Sequence, residues 1–236
     1  MKSVLIVILS LLALGSSPRP KVSIWLIGDS TMAWKKPERA PESGWGEGLK
    51  QFVNGNATIR NHAASGRSSL NFINEGLWTD VCDSLQAGDY VIIQFGHNDE
   101  KSDTLRHTEP FDSYKDNLGK FIRESKKKGA IPVVCSSIVR RQFNPDGSLK
   151  DTHGDYIKAT KQAAEETGTL YIDMEALTRE LVTKMGPESS KQIYNYTTKK
   201  QDSTHLNFNG ARAIAELFVD EIKAKQPCLF QYFISE

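Results

Sequence analysis

Apolar residues fall into short runs separated by longer amphipathic stretches, an order that predicts strands alternating with helices. The strand-like runs are Val22 to Ile27, Thr58 to Asn61, Tyr90 to Phe95, Ile131 to Ser136 and Thr169 to Asp173. Tyr90-Val91-Ile92-Ile93-Gln94-Phe95 lacks the polar alternation of a half-exposed strand, so it reads as a central strand covered on both faces. Helices are predicted over Trp45 to Val53, Ser69 to Asp83, Phe111 to Lys128, Thr152 to Thr167 and Glu175 to Lys184. The Phe111 stretch follows Pro110 and closes on Lys126-Lys127-Lys128-Gly129, with cations near the negative end of the helix dipole and a glycine to stop it. A last helix starts at Asn207, a suitable N-cap, and carries Ile214, Phe218 and Ile222 on one face. Gly186 to Gln201 is the least regular stretch and is expected to shape a cleft. The alternation implies an α/β fold, a three-layer α/β/α sandwich around a central parallel sheet.

Composition bounds what such a fold is for. The chain has 236 residues, 39% hydrophobic and 25% charged, enough for one well-buried core. No repeat, low-complexity tract or linker divides it, so residues 18–236 read as a single domain. Residues 1–17 have the layout of a signal peptide: Lys2, an apolar run from Val4 to Leu14, then Gly15, Ser16 and Ser17. That run is shorter than the ~20 residues of a spanning helix, so a secreted or periplasmic protein without a membrane anchor is expected. With 30 basic and 29 acidic side chains, there is no electrostatic footprint for nucleic acid. Cys82, Cys135 and Cys228 are too few and too dispersed for a disulfide framework, and a single disulfide among them stays open. His62, His107 and His153 show no metal-ligand spacing, and neither a metal nor an organic cofactor is expected. Nothing in the sequence specifies an oligomeric state.

In open parallel sheets, ligands bind beyond the C-terminal ends of the strands. Three such ends carry polar clusters: Gly28-Asp29-Ser30-Thr31-Met32, Asn61-His62-Ala63-Ala64-Ser65-Gly66-Arg67-Ser68, and Gly96-His97-Asn98-Asp99. A serine hydroxyl needs a base to take its proton, and the base needs a partner to fix its tautomer. Asp202-Ser203-Thr204-His205 supplies both, because one local turn across that spacing brings a carboxylate to the imidazole Nδ1 and leaves Nε2 for a serine. The Gly-x-Ser-x-Gly elbow of α/β-hydrolases is missing, so a different serine-hydrolase architecture is implied. Asp29 and Asp99 read as residues that order their turns.

Taken together, Gly28-Asp29-Ser30, Gly66, Gly96-His97-Asn98-Asp99 and Asp202-Ser203-Thr204-His205 resemble, in order, the four blocks of the SGNH (GDSL-type) hydrolases. The resemblance spans Gly28 to His205 and implies a flavodoxin-like SGNH-hydrolase fold. It implies Ser30 as nucleophile, His205 as general base oriented by Asp202, and an oxyanion hole from the Ser30 and Gly66 N–H groups and the Asn98 amide. Gly44-Trp45-Gly46, Gly66-Arg67-Ser68 and Leu206-Asn207 narrow the likeness to the rhamnogalacturonan acetylesterases of carbohydrate esterase family 12. Ala64 departs from the small residue, often glycine, that the family favours before the oxyanion glycine. The resemblance implies removal of acetyl groups from a pectic polysaccharide, with an acetylated polysaccharide as partner.

Arg67, His97 and Trp45 are candidate substrate contacts, although His97 also suits ordering of the Asn98 loop. Trp34, Trp45 and Trp78 are candidate sugar-stacking rings, although aromatics on amphipathic stretches commonly belong to the core. Arg140, Arg141, Lys199 and Lys200 have the charge to meet uronate carboxylates, although each also reads as a solvated surface cation. Two rivals remain at this level: a broader SGNH esterase acting on acetylated xylan, simple acetyl esters or lipid esters, and a noncatalytic carbohydrate-binding protein.

Overall fold

The computed structural model describes residues 21–234. The expected signal peptide, residues 1–17, lies outside them. Five strands, β1 (Val22–Gly28), β2 (Ala57–Asn61), β3 (Tyr90–Gln94), β4 (Ile131–Cys135) and β5 (Leu170–Ile172), form one sheet in the order β2-β1-β3-β4-β5. Every pairing in it is parallel. The chain leaves β1 for the edge strand β2 and then crosses back to β3 on the other side of β1. The crevice at the C-terminal ends of β1 and β3 is therefore the switch point of the sheet, where loops diverge and a site can form.

Alternate side chains on each strand enter different layers. Ile24 and Leu26 of β1, Ile92 of β3 and Val133 of β4 meet helices α1 (Trp45–Leu49), α6 (Met174–Ser189) and α7 (Phe208–Lys225) through Trp45, Val182 and Phe218. On the other face, Trp25, Ile27, Val91, Ile93 and Val134 meet α2 (Ser69–Asn74), α3 (Leu77–Ser84), α4 (Lys115–Lys127) and α5 (Asp155–Glu166) through Phe72, Trp78, Phe121 and Ala163. All five β3 residues are buried, the burial its apolar run predicts. A short α8 (Pro227–Phe230) follows α7. Among the described residues no helix is long and apolar enough to cross a membrane.

Some boundaries differ from the sequence reading for local reasons. The helix expected over Ser69 to Asp83 is two, broken at Gly76, whose φ of 77° lies in the left-handed region. The helix expected from Phe111 begins as a wide π-type turn, Pro110–Tyr114, because Asp112 is not helical. The stretch judged least regular carries structure: a 3-10 turn (Ser190–Ile193) and β6 (Tyr194–Tyr196), which pairs antiparallel with β7 (Gln201–Leu206). In that hairpin Asn195 faces Asp202 and Tyr194 faces Leu206, so one step along β6 spans four along β7. Ser203, Thr204 and His205 are looped out between those pairs, a bulge that turns side chains away from the ladder.

Candidate active site

The nucleophile candidate sits in a turn built by its neighbours. Met32 and Ala33 donate N–H to the Asp29 carbonyl at 3.2 and 3.1 Å, and the Asp29 carboxylate takes the Thr31 N–H at 2.9 Å and the Thr31 hydroxyl at 2.8 Å. The hydroxyl of Thr31 in turn accepts from the Gln94 side-chain amide at 2.7 Å, and Gln94 Oε1 accepts from the Trp45 indole at 2.8 Å. This buried ladder ties the turn after β1 to the end of β3 and to α1. It leaves Ser30, partly exposed, at the mouth of the crevice.

Opposite it, the β7 bulge presents His205. Its Nε2 lies 2.9 Å from Ser30 Oγ and its Nδ1 2.8 Å from Asp202 Oδ2, so a proton on Nδ1 leaves Nε2 to accept from the serine. The other oxygen of Asp202 takes the backbone N–H groups of Thr204 and His205, each at 2.9 Å, which fixes the local turn the spacing suggested. Burial opposes ionisation of Asp202, but His205, the Lys200 ammonium and those two N–H groups outweigh it. They hold the carboxyl far below the usual carboxylate range.

Gly66 and Asn98 come to the same crevice from the ends of β2 and β3. Gly66 has a φ of 83°, a backbone shape that favours glycine. The Asn98 side chain is 3% exposed and donates to the Arg67 carbonyl at 3.1 Å, which orients the amide. Behind it, Asp99 takes the Ser69 N–H at 2.9 Å and the Thr108 hydroxyl at 3.1 Å. Burial pushes the Asp99 carboxyl up to about 7 against those donors.

Two of the three candidate substrate contacts are corrected. Trp45 is fully buried, packed on Phe218 with its N–H committed to Gln94, so it offers no ring to a ligand. His97 is 2% exposed, with Nδ1 3.2 Å from Asp29 Oδ2 and its ring against that of His153. Burial lowers the His97 imidazole to about 4, despite Asp29, so it is neutral at ordinary pH. Burial also opposes ionisation of Asp29, but His97 and the Thr31 donors hold it below the usual range. The third, Arg67, is half exposed beside Gly66 and pairs with Glu75 at 2.9 Å. Trp78 is 2% exposed and belongs to the core, whereas Trp34 is 54% exposed. Arg141 is an interior residue, donating to Ser190 Oγ and Tyr196 Oη at 2.9 and 2.8 Å, and Arg140 pairs with Glu100. Cys82, Cys135 and Cys228 are unpaired.

Sequence reasoning missed Glu42. It is 2% exposed and gathers three cations: Arg39 at 2.7 Å, Lys35 at 3.2 Å and Lys200 at 3.4 Å. The Lys200 ammonium also lies 2.7 Å from the Asp202 oxygen that faces His205. Its place two residues before Asp202, just ahead of β7, was the available signal; a single Glu42 gave none. Glu42, Asp202 and His205 each bring a potential metal-donor atom within 4.8 Å of the others. Lys200 spans both carboxylates and Asp202 faces the His205 Nδ1, so these donors are already committed to one another.

Residues 26–213 match the GDSL-like lipase/acylhydrolase family. The chain is 35% identical over 211 residues to the rhamnogalacturonan acetylesterase RhgT of Bacillus subtilis (strain 168), covering 86% of this chain and 90% of that protein. It is 29% identical over 245 residues to a rhamnogalacturonan acetylesterase of Emericella nidulans, covering 94% and 91%. Among solved structures, the YxiM protein of Bacillus subtilis superposes with a TM-score of 0.77 at 29% identity, over 87% of this chain and 57% of that one. A mutant of the acetyl-xylooligosaccharide esterase Axe2 from Geobacillus shares the fold, with a TM-score of 0.63 at 22% identity over 87% of this chain and 96% of that one.

Proposed function

The chain belongs to the GDSL-like lipase/acylhydrolase family, a serine hydrolase acting on ester bonds, and on that premise we propose that it is a secreted carbohydrate esterase that removes acetyl groups from rhamnogalacturonan. The observation that carries the reading is the line Ser30–His205–Asp202, at 2.9 and 2.8 Å, in a chain similar over most of its length to rhamnogalacturonan acetylesterases. The apolar leader supports export.

In this reading His205 Nε2 takes the Ser30 proton as Oγ attacks the acetyl carbonyl carbon. The negative charge moves to the carbonyl oxygen, where the Ser30 and Gly66 N–H groups and the Asn98 amide hold it. Collapse breaks the bond to the sugar oxygen, His205 protonates that oxygen, and an acetyl-serine remains. Water, deprotonated by His205, then attacks the acetyl group, and Ser30 recovers its proton as acetate leaves. Asp202 fixes the Nδ1 proton and stabilises the imidazolium in both halves. Arg67, half exposed beside Gly66, is the candidate partner for a uronate carboxylate.

Acetate release from acetylated rhamnogalacturonan, acetylated xylan and esters of increasing acyl length tests the proposal. Preference for rhamnogalacturonan is expected. Faster turnover of xylan or of long acyl chains would overturn the substrate assignment, and a wild-type protein that takes no fluorophosphonate label while Ser30→Ala behaves identically would overturn the nucleophile.

A further inference from the structure

Among the described residues, few large apolar side chains are exposed, and Trp34 (54%) and Phe208 (58%) line one groove of about 210 Å³. Its remaining wall is mainly polar, with Lys35, Glu42, Glu47 and Gln51 beside Ala211. It adjoins the hydrolytic centre on two sides. Lys35 donates to Ser65 Oγ at 2.9 Å, next to Gly66, and Glu42 brings a carboxylate oxygen within 4.8 Å of donor atoms of Asp202 and His205. Phe208 follows His205 by three residues, at the start of α7.

This chemistry suits a sugar ring. A pyranose has a C–H face that covers an aromatic ring and an edge of hydroxyls that bond to amides and carboxylates. Glu42 Oε1, in the groove wall, faces the Lys35 ammonium at 3.2 Å, so the wall presents a paired charge to a sugar's hydroxyl edge. The volume is below the ~300 Å³ at which whole small-molecule sites begin, so the groove takes one ring and not a whole ligand. A fatty acyl chain is disfavoured by the charged walls.

We propose that this groove is a glycosyl subsite, with Trp34 and Phe208 as its platform, that holds a sugar ring of the polymer next to the one whose acetyl group reaches Ser30. The proposal rests on the polysaccharide reading above. It makes Trp34 and Phe208 specificity residues that small esters do not engage.

The test uses Trp34→Ala, Phe208→Ala and the double variant, with acetylated rhamnogalacturonan and p-nitrophenyl acetate as substrates. The double variant should raise KM for the polymer tenfold or more and leave kcat/KM for p-nitrophenyl acetate within twofold. A second readout is independent of activity. Trp25, Trp45 and Trp78 are at most 4% exposed, so a change in tryptophan emission on adding deacetylated oligosaccharide reports Trp34. Rhamnogalacturonan oligosaccharides should shift wild-type emission and leave Trp34→Ala unmoved. If xylo-oligosaccharides shift it and rhamnogalacturonan does not, the subsite stands and the polymer assignment falls. If the wild type deacetylates rhamnogalacturonan while the variants keep its KM and no oligosaccharide shifts emission, the subsite is overturned and the function stands. Equal losses on both substrates also overturn it.

Discussion

Replacing Asp202 by Asn removes one of two tasks that a single carboxylate performs. Its Oδ1 holds the turn through Thr204 and His205 N–H, and an asparagine oxygen keeps both bonds. Its Oδ2 faces His205 Nδ1 at 2.8 Å and Lys200 Nζ at 2.7 Å, and there the substitution places an amide NH2. That NH2 donates to Nδ1, moves the ring proton to Nε2 and leaves Ser30 facing a donor instead of a base. The carboxylate also loses its attraction for the imidazolium, worth about 4 kcal/mol for charges ~4 Å apart at an effective dielectric of ~20. Together these effects lower kcat/KM by roughly 10³- to 10⁴-fold. Lys200 then opposes the imidazolium with only Glu42, at 3.4 Å, left as its counter-charge, from no more than about 5.5 Å, the 2.7 and 2.8 Å contacts laid end to end. At the dielectric of water, fitting for a half-exposed ammonium, that is ~0.8 kcal/mol, which Glu42 partly offsets, so Lys200→Met in the Asp202→Asn background should restore activity by up to about fourfold. The assay is p-nitrophenyl acetate turnover, with circular dichroism and thermal melting to establish intact folds. A folded Asp202→Asn enzyme within tenfold of wild type would refute the reasoning.

Asn98→Ala removes one oxyanion donor and should lower kcat by roughly 100- to 1000-fold while thermal stability changes little; near-normal acetate release refutes the role. Gly210→Ala drives a Cβ into the Ile193 carbonyl and pushes α7 off the 3-10 turn that leads into the hairpin, so it should cost about 1–3 kcal/mol in urea melts and slow turnover by displacing His205; an unchanged melt contradicts the contact. Two buried groups set opposing pH dependences of stability. His97, lowered from 6.5 to about 4, is refused a proton by the fold that the unfolded chain accepts, so its contribution is lost as pH falls through that window. Asp99, raised from 3.8 to about 7, binds a proton in the fold first, so its contribution grows as pH falls between those values. Asp99→Asn removes only the second, and relative to wild type its folding free energy should fall by about 3 kcal/mol between pH 7 and pH 4. Parallel pH profiles for the two proteins would disprove the protonated Asp99.

What the sequence made legible follows from the kind of physics involved. β1, β3, β4 and β5 stood out because each contains a run of apolar residues, and β3 is buried on both faces. Ser30, Gly66, Asn98, Asp202 and His205 stood out because their chemistry needs particular side chains at strand ends, and the fold brings them to one crevice. The burial of Trp45 was hidden because its partner, Gln94, is a polar residue inside a strand, and one buried hydrogen bond made both interior. The β6–β7 hairpin was hidden because β6 has three residues and the bulge breaks the alternation of β7. Glu42 and Lys200 could not be paired from sequence, since 158 residues separate them.

The looped-out segment of β7 also has a temporal meaning. Ser30 and His205 are separated by 175 positions, and their meeting requires β1, the hairpin and the seating of α7 behind it. Such a contact cannot form until those elements are in place, and closing so long a loop carries an entropy cost. The first strand, with the serine, leaves the ribosome long before the base that arms it. Hydrolytic competence thus arrives only when the C-terminal layer docks, and the nascent or partly folded chain carries an unarmed serine until then.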